Sequence, residues 1–377
     1  MKGLPISTVR VENFKAIRDT GTLRLSPVTV LVGNNGSGKS SLIEAMETIR
    51  RLAYDGLDAA MEAFHGFDHI RNQHAAANRG RPKPIRFRWA GKTWMGGFEA
   101  DVAIATREPQ GGIGLSERLR YRRAGTPVTH VARGSDGRLA GGPFDGQELP
   151  EGTSSLRWLP AATPRDWQFL SVEPGRMGEP RPKKGTAGPA PLERDGSNIG
   201  EYLLSLRDAD ADAFEGVIET LRAVLPYAGD VQPRITSELE RTVYIQLTEG
   251  SFKVPGWLLS SGTLRILAIL AVLRHPKPPS VVFIEEIENG LDPRTLHLVA
   301  RELQRAAEGG GPQVIATTHS PFLLDLLPLS SLMFVERIGG EPVFTRPADD
   351  AAVRAWGERF SPGQLYTMGR FDRARPA

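Results

Sequence analysis

The sequence predicts an α/β fold with a mixed central sheet, an antiparallel β subdomain and a helical subdomain, and three observations carry that prediction. The apolar run "VTVLV" is followed by the glycine loop "GNNGSGKS" and then by the helix-compatible "SLIEAM". A second apolar run, Val281 to Ile284, ends at the acidic pair Glu285 and Glu286, as a buried parallel strand does where it meets a ligand. Between them, from Pro84 to about Arg138, short β-like runs alternate with Gly and Ser-Asp-Gly turns, the pattern of an antiparallel sheet.

Each element follows from local chemistry. "STVRVENFKAI" and "TLRLSPVTVLVG" read as strands that lead into the glycine loop. The loop fits G-x-x-x-x-G-K-[ST] through Gly33, Gly38, Lys39 and Ser40. Such a loop presents backbone N–H groups as an anion nest at a helix N-terminus, with glycines where a Cβ would block a phosphate. Gly33, Asn34, Asn35, Gly36, Ser37, Gly38 and Ser41 are therefore read as phosphate-binding positions. Lys39 is expected to reach the β- and γ-phosphates of ATP, and the Ser40 hydroxyl to ligate Mg²⁺. The helix that opens here is expected to run to about Tyr54.

The stretch "EPGRMGEPRPKKGTAGPAPLERDG" is rich in Pro, Gly and charge and has no periodicity, so it reads as a linker or loop and marks the main boundary. Helical spacing returns in "IGEYLLSLRDADADAFEGVIETLRAVL", a strand pair follows in "RTVYIQLTEGSFKV", and a helix is expected to start near Ser261. The expected division is an N-terminal lobe over residues 1–172, the linker over 173–196, a helical and β segment over 197–257, and a C-terminal lobe over 258–377.

With 377 residues the chain can bury a full core and hold two domains. Its 47 basic and 44 acidic residues leave a net charge of +3, which is no nucleic-acid signature, although the arginines of Lys83 to Arg88, Arg118 to Arg123 and the C-terminal tail keep DNA possible as a partner. Cysteine is absent, which excludes disulfides and thiolate zinc sites. No secretory signal is evident, and the longest apolar run, Ile266 to Leu273, is too short to span a bilayer. The expectation is a cytoplasmic protein without a membrane partner.

Four segments in order resemble the ABC-type ATPases of the RecF, SMC and OLD branch: the phosphate loop, "WLLSSGTLRIL", "SVVFIEEIENGLDP" and "VIATTHSPFLLD". The resemblance implies a P-loop NTPase of ABC-ATPase head type. It makes Glu285 the first Walker B carboxylate, supporting Mg²⁺, and Glu286 the second, polarising the attacking water. Ser260 and Gly262 become the signature that binds the γ-phosphate held by an opposite subunit, Asp292 a D-loop contact across that interface, and His319 the switch histidine. Gln168 is the Q-loop candidate, for nucleotide and for metal, with Gln73 left open as the alternative. Phe14 and Lys15, in "VENFKAI", are candidates for contacts to base and ribose. The family's usual Walker B aspartate is a glutamate here.

Since the signature faces away from its own phosphate loop in this family, a homodimer or higher homo-oligomer closed around ATP is expected. The interval between the motif halves lacks the heptads of an SMC arm. The stretch after His319 is too short for the Toprim nuclease domain of OLD proteins. The resemblance therefore implies a stand-alone head that hydrolyses ATP and regulates a separate effector, a nuclease of a phage-defence type system. The alternative is a RecF-like repair or maintenance ATPase that binds DNA directly.

Overall fold

Apolar alternation along the N-terminal strands makes a sheet with one dry face. β1 (Thr8–Phe14), β2 (Ile17–Asp19), β3 (Leu23–Arg24), β5 (Ile85–Thr93), β6 (Gly96–Thr106), β7 (Ile113–Arg123), β8 (Thr126–Arg133) and β9 (Leu139–Ala140) form an eight-stranded sheet in the order β2-β1-β5-β6-β7-β8-β9, with β3 on β1. Its pairings are antiparallel, as the alternating runs predict. Val9, Val11, Phe87, Trp89, Val102, Ile104, Leu115 and Leu119 are buried on one face. Arg10, Arg88, Asp101 and Arg118, cross-strand neighbours, stand on the other.

The computed structural model describes residues 3–74, 83–93, 96–107, 112–123, 126–134, 138–141, 145–150, 152–158, 164–183, 191–236, 241–308 and 311–373. Two units divide the chain: Met1–Trp167, Ser330–Ala355 and Gly369–Ala377 make the first, Gln168–Leu329 and Trp356–Met368 the second.

In the first unit the fully buried β4 (Val28–Val32) runs parallel to β17 (Leu332–Ile338), and β18 (Glu341–Thr345) pairs antiparallel with β17. α1 (Lys39–Tyr54) buries Leu42, Ile43, Met46, Ile49 and Leu52 at helical spacing and ends at the predicted residue. The short helices α2 (Gly56–Glu62) and α3 (Phe67–Ile70) follow.

In the second unit β10 (Trp167–Leu170), β15 (Val281–Ile284) and β16 (Gln313–Thr318) lie side by side, β15 and β16 parallel. A four-stranded antiparallel sheet joins β11 (Arg181–Pro182), β13 (Thr242–Glu249) and β12 (Asp230–Ile235), with β14 (Phe252–Pro255) on β13. The helices are α4 (Pro174–Met177), α5 (Ile199–Ala209), α6 (Ala211–Arg222), α7 (Ser261–Leu273), α8 (Pro293–Glu308) and α9 (Pro321–Asp325), with α10 (Ala351–Gly357), most of which belongs to the first unit, and α11 (Pro362–Thr367) later in the chain. The Pro/Gly-rich stretch holds α4 and β11, and its residues 184–190 lie outside the described residues, as do residues 374–377 of the basic tail. Among the described residues no helix is long and apolar enough to cross a membrane.

Glu117 breaks the dry face of the first sheet. Its buried carboxylate accepts hydrogen bonds from the Ser154 hydroxyl and, at 2.7 Å, from the Ser155 amide, with buried Arg133 close by. Burial pushes its pKa up, against the pull of those donors and of Arg133. The contact ties the loop at residues 152–156 to β7, so Glu117→Ala, which takes the acceptor from two buried donors and removes the charge beside Arg133, is expected to cost about 3 kcal/mol. Urea unfolding followed by tryptophan fluorescence measures it, and an unchanged midpoint would contradict the assignment.

Candidate functional site

The phosphate loop lies between β4 and α1, where a fully buried strand delivers the chain to a helix N-terminus. Gly38 sits at φ +113, and a Cβ there would lie 2.8 Å from Pro342 in addition to the backbone cost, so glycine is required. Lys39 is buried, and its ammonium donates to the carbonyls of Gly33 (2.8 Å) and Asn34 (2.9 Å), with the Ser37 hydroxyl at 3.5 Å. Asn34, Asn35, Gly36 and Ser40 are exposed, Ser41 is half-buried, and Ser37 is buried. Amide donors, an ammonium and a hydroxyl gathered at one helix N-terminus fit a polyphosphate.

Phe14 does not reach this loop's solvent side. It is fully buried and packs edge-on against Phe64 and Phe87, a core position. Lys15 pairs with Glu44 at 2.7 Å and lies over the Phe64 ring at 4.6 Å.

The second unit carries the carboxylates. The parallel register, Val281 on Gln313 to Ile284 on Ala316, aligns the two strand ends. Beyond them the Glu285 amide bonds the Leu170 carbonyl at 2.8 Å and the Glu286 amide bonds the Thr317 hydroxyl at 2.8 Å. Glu286 is exposed and holds φ +46, a left-handed conformation that a non-glycine residue adopts at a cost of about 1–3 kcal/mol. Asn289 donates to its carboxylate. Glu285 is mostly buried and pairs with the Arg194 guanidinium. The His319 amide donates to Glu288 Oε1 at 2.5 Å, while Glu288 Oε2 is buried with no hydrogen-bond partner among the described residues.

α7 brings the signature to this group. Ser260 caps the helix, its hydroxyl accepting from the Thr263 amide at 3.1 Å. A Cβ on Gly262 would lie 2.5 Å from the Gly290 carbonyl oxygen, so signature and D-loop backbones touch. Arg265, the one charge in "SGTLRILAILAVL", is buried and donates to the carbonyls of Val172 (2.7 Å) and Glu286 (3.4 Å). Burial pushes its pKa down, while Glu286 and Glu288 act the other way.

Gln168 stands on β10, the neighbour of β15, and donates to the carbonyls of Leu192 (2.7 Å) and Phe169 (3.1 Å). Gln73 lies in the first unit, where it bonds the Asp68 carbonyl of its own turn. Sequence reasoning passed over Arg194, Arg265, Glu288 and Thr317. Only Arg265 carried a signal, as a lone charge inside an apolar helix.

Mg²⁺ takes oxygen ligands, using one or two protein carboxylates together with substrate phosphates and water. Ser40, Glu285 and Gln168 offer oxygen donors of that kind. Among the described residues no three His, Cys, Asp or Glu side chains stand together as a metal cage, and this mode of binding needs none.

Residues 4–77 match a family model described as "AAA ATPase domain", and residues 192–325 match one described as "AAA domain, putative AbiEii toxin, Type IV TA system". The OLD nuclease of Thermus scotoductus (strain ATCC 700910 / SA-01) is 23% identical over 98% of this chain and 69% of its own length. Among solved structures, the Smc head domain with an extended coiled coil, bound to the C-terminal domain of ScpA and derived from Pyrococcus furiosus, aligns with TM-score 0.55 at 14% identity over 94% of this chain and 99% of that one. The SMC head domain from Thermotoga maritima aligns with TM-score 0.47 at 15% identity over 92% of this chain and 99% of that one. The fold is that of a P-loop ABC-ATPase head. Within that class the two matched segments and the OLD nuclease relative support an ABC-type ATPase of the OLD and SMC branch.

Asp292 is fully engaged locally. Oδ1 accepts from the amides of Arg294 (2.9 Å) and Thr295 (3.2 Å), and Oδ2 from the Thr295 hydroxyl (2.6 Å), which caps α8. The Thr295 hydroxyl holds the carboxyl below its usual range, burial opposing. A depressed folded-state pKa means stability that is present above the unfolded value and lost as pH falls through the folded one. Asp292→Ala is therefore expected to cost about 1 kcal/mol at neutral pH, with the gap to wild type closing below about pH 4. Urea midpoints across pH test this; a gap that stays constant into acid would contradict it.

Proposed function

We propose that the chain binds and hydrolyses ATP with Mg²⁺, closes on a second copy around the nucleotide, and reports nucleotide state to a separate effector, a nuclease of a phage-defence type system. The observation that carries the hydrolytic part is the strained Glu286, a carboxylate held in a left-handed conformation at the end of a buried strand. In this reading the phosphate-loop amides and Lys39 hold the phosphates. Ser260 and Gly262 of the other copy cover the γ-phosphate, Asp292 contributes across the interface, Glu286 orients the water, and the His319 loop responds to phosphate. Ser40 and Glu285, with Gln168, would hold Mg²⁺, which supplies neutralisation of charge on the transferred group.

Support for the effector comes from the likeness to an OLD nuclease, of which this chain covers 69%. Nuclease chemistry in that relative is proposed to belong to the length that this chain does not cover. The second reading, direct DNA binding, draws on a cavity of about 320 Å³ on the outer face of the first sheet, lined by Arg10, Arg88, Arg118 and Arg120. Arg10 and Arg88 are already paired with Asp19, Glu12 and Asp101, which weakens the face as a site for a polyanion.

Glu286→Gln is expected to keep ATP binding and lower turnover at least about 100-fold, whereas Lys39→Ala loses affinity for ATP. Phosphate release and nucleotide binding on the purified variants read the two effects. Full turnover by Glu286→Gln would sink the assignment.

A further inference from the structure

The Arg194 to Glu285 ion pair joins residues 91 positions apart and brings the end of the Pro/Gly-rich stretch onto the first Walker B carboxylate. The two sides differ in exposure, the Glu285 side chain at 14% and the Arg194 side chain at 40%. A largely desolvated carboxylate needs a positive partner, while a guanidinium at the rim is already partly hydrated.

The segment that presents Arg194 docks through its backbone. The Arg194 carbonyl accepts from the Ser171 amide at 2.8 Å, and the Asp195 carbonyl from the Glu173 amide at 2.9 Å. Gln168 bonds the Leu192 carbonyl at 2.7 Å, and Asn198 clamps the turn through the Glu193 amide (2.7 Å) and the Pro191 carbonyl (3.0 Å). The flanking acids have cations of their own: Glu193 pairs with Arg181 at 3.2 Å and Asp195 with Arg176 at 3.0 Å. Arg194 is thus held beside the continuation of β10 with its side chain on Glu285.

We propose that Arg194 is a tethered counter-cation that exchanges with the divalent metal on Glu285, so that metal binding and the docking of residues 192–198 along the Gln168 to Glu173 segment are coupled. The inference rests on the reading of Glu285 as a Mg²⁺ carboxylate. A doubly charged ion and a guanidinium on one carboxylate repel at a few ångströms, so the guanidinium lowers metal affinity roughly tenfold and leaves when metal arrives. Arg194 is a positioning residue in this scheme: it holds the Glu285 carboxylate in place without metal, and it carries the metal state to the linker stretch.

The test uses the full chain, Mn²⁺ as the metal, and electron paramagnetic resonance to count free ion, with and without ADP. Arg194→Gln is expected to tighten Mn²⁺ binding about tenfold, Arg194→Lys to stay near wild type, and Glu285→Gln to lose most of the affinity. Hydrogen exchange on unmodified protein gives an independent readout: the Ser171 and Glu173 amides exchange faster once Mn²⁺ and ADP are added. Unchanged or weaker Mn²⁺ binding by Arg194→Gln, with Glu285→Gln still defective, would overturn the exchange and leave Glu285 as a metal carboxylate. Amides indifferent to metal would overturn the coupling. Full Mn²⁺ affinity in Glu285→Gln would remove the underlying reading as well.

Discussion

A buried guanidinium holds the second unit's chemistry in one piece. Arg265 projects from the apolar helix α7 to the carbonyls of Val172 and Glu286, at the ends of the segments that follow β10 and β15. An unpaired buried charge is far more costly than a lost surface contact, so these chain ends cannot drift from α7 without stranding it. The bare contact of Gly262 with Gly290 adds a second constraint between the same parts. The start of α7, the turn after β15 and the Gly290 turn are therefore held rigidly together.

That rigidity explains how Glu286 can sit in an unfavourable conformation. Its amide is committed to Thr317, its carbonyl to Arg265 and its carboxylate to Asn289, so the surroundings determine its backbone. The loop in the first unit follows a related design, with a buried strand ahead of it, Gly38 at positive φ, and a lysine folded back onto loop carbonyls. In both units the C-terminal ends of parallel strands present polar groups, where parallel sheets place their ligands.

Much of this was legible in the sequence because the signals are local. α1 starts at Lys39 and ends at Tyr54, α7 starts at Ser261, and β13 and β14 occupy the expected strand pair. The strand β12 lies outside the expected elements; it carries Pro233, which is tolerated on the edge of the order β11-β13-β12. Phe14 was read toward the nucleotide, yet an aromatic in an alternating strand goes to whichever face is dry, and position 14 is buried. Capping gives Asp292 local partners that motif matching does not reveal. Arg194 was invisible because its contact is made across 91 positions, out of a stretch whose composition suggests a solvated loop.

The central claim is a site completed by two copies of the chain, and complementation tests it most directly. Ser260→Arg removes the signature from one copy and Lys39→Ala the phosphate loop from the other, so each protein alone is expected to be inactive. An equimolar mixture should regain part of the ATP turnover, since one interface then joins an intact phosphate loop to an intact signature. Mixtures that remain inactive while mass measurement shows mixed oligomers forming would contradict the account.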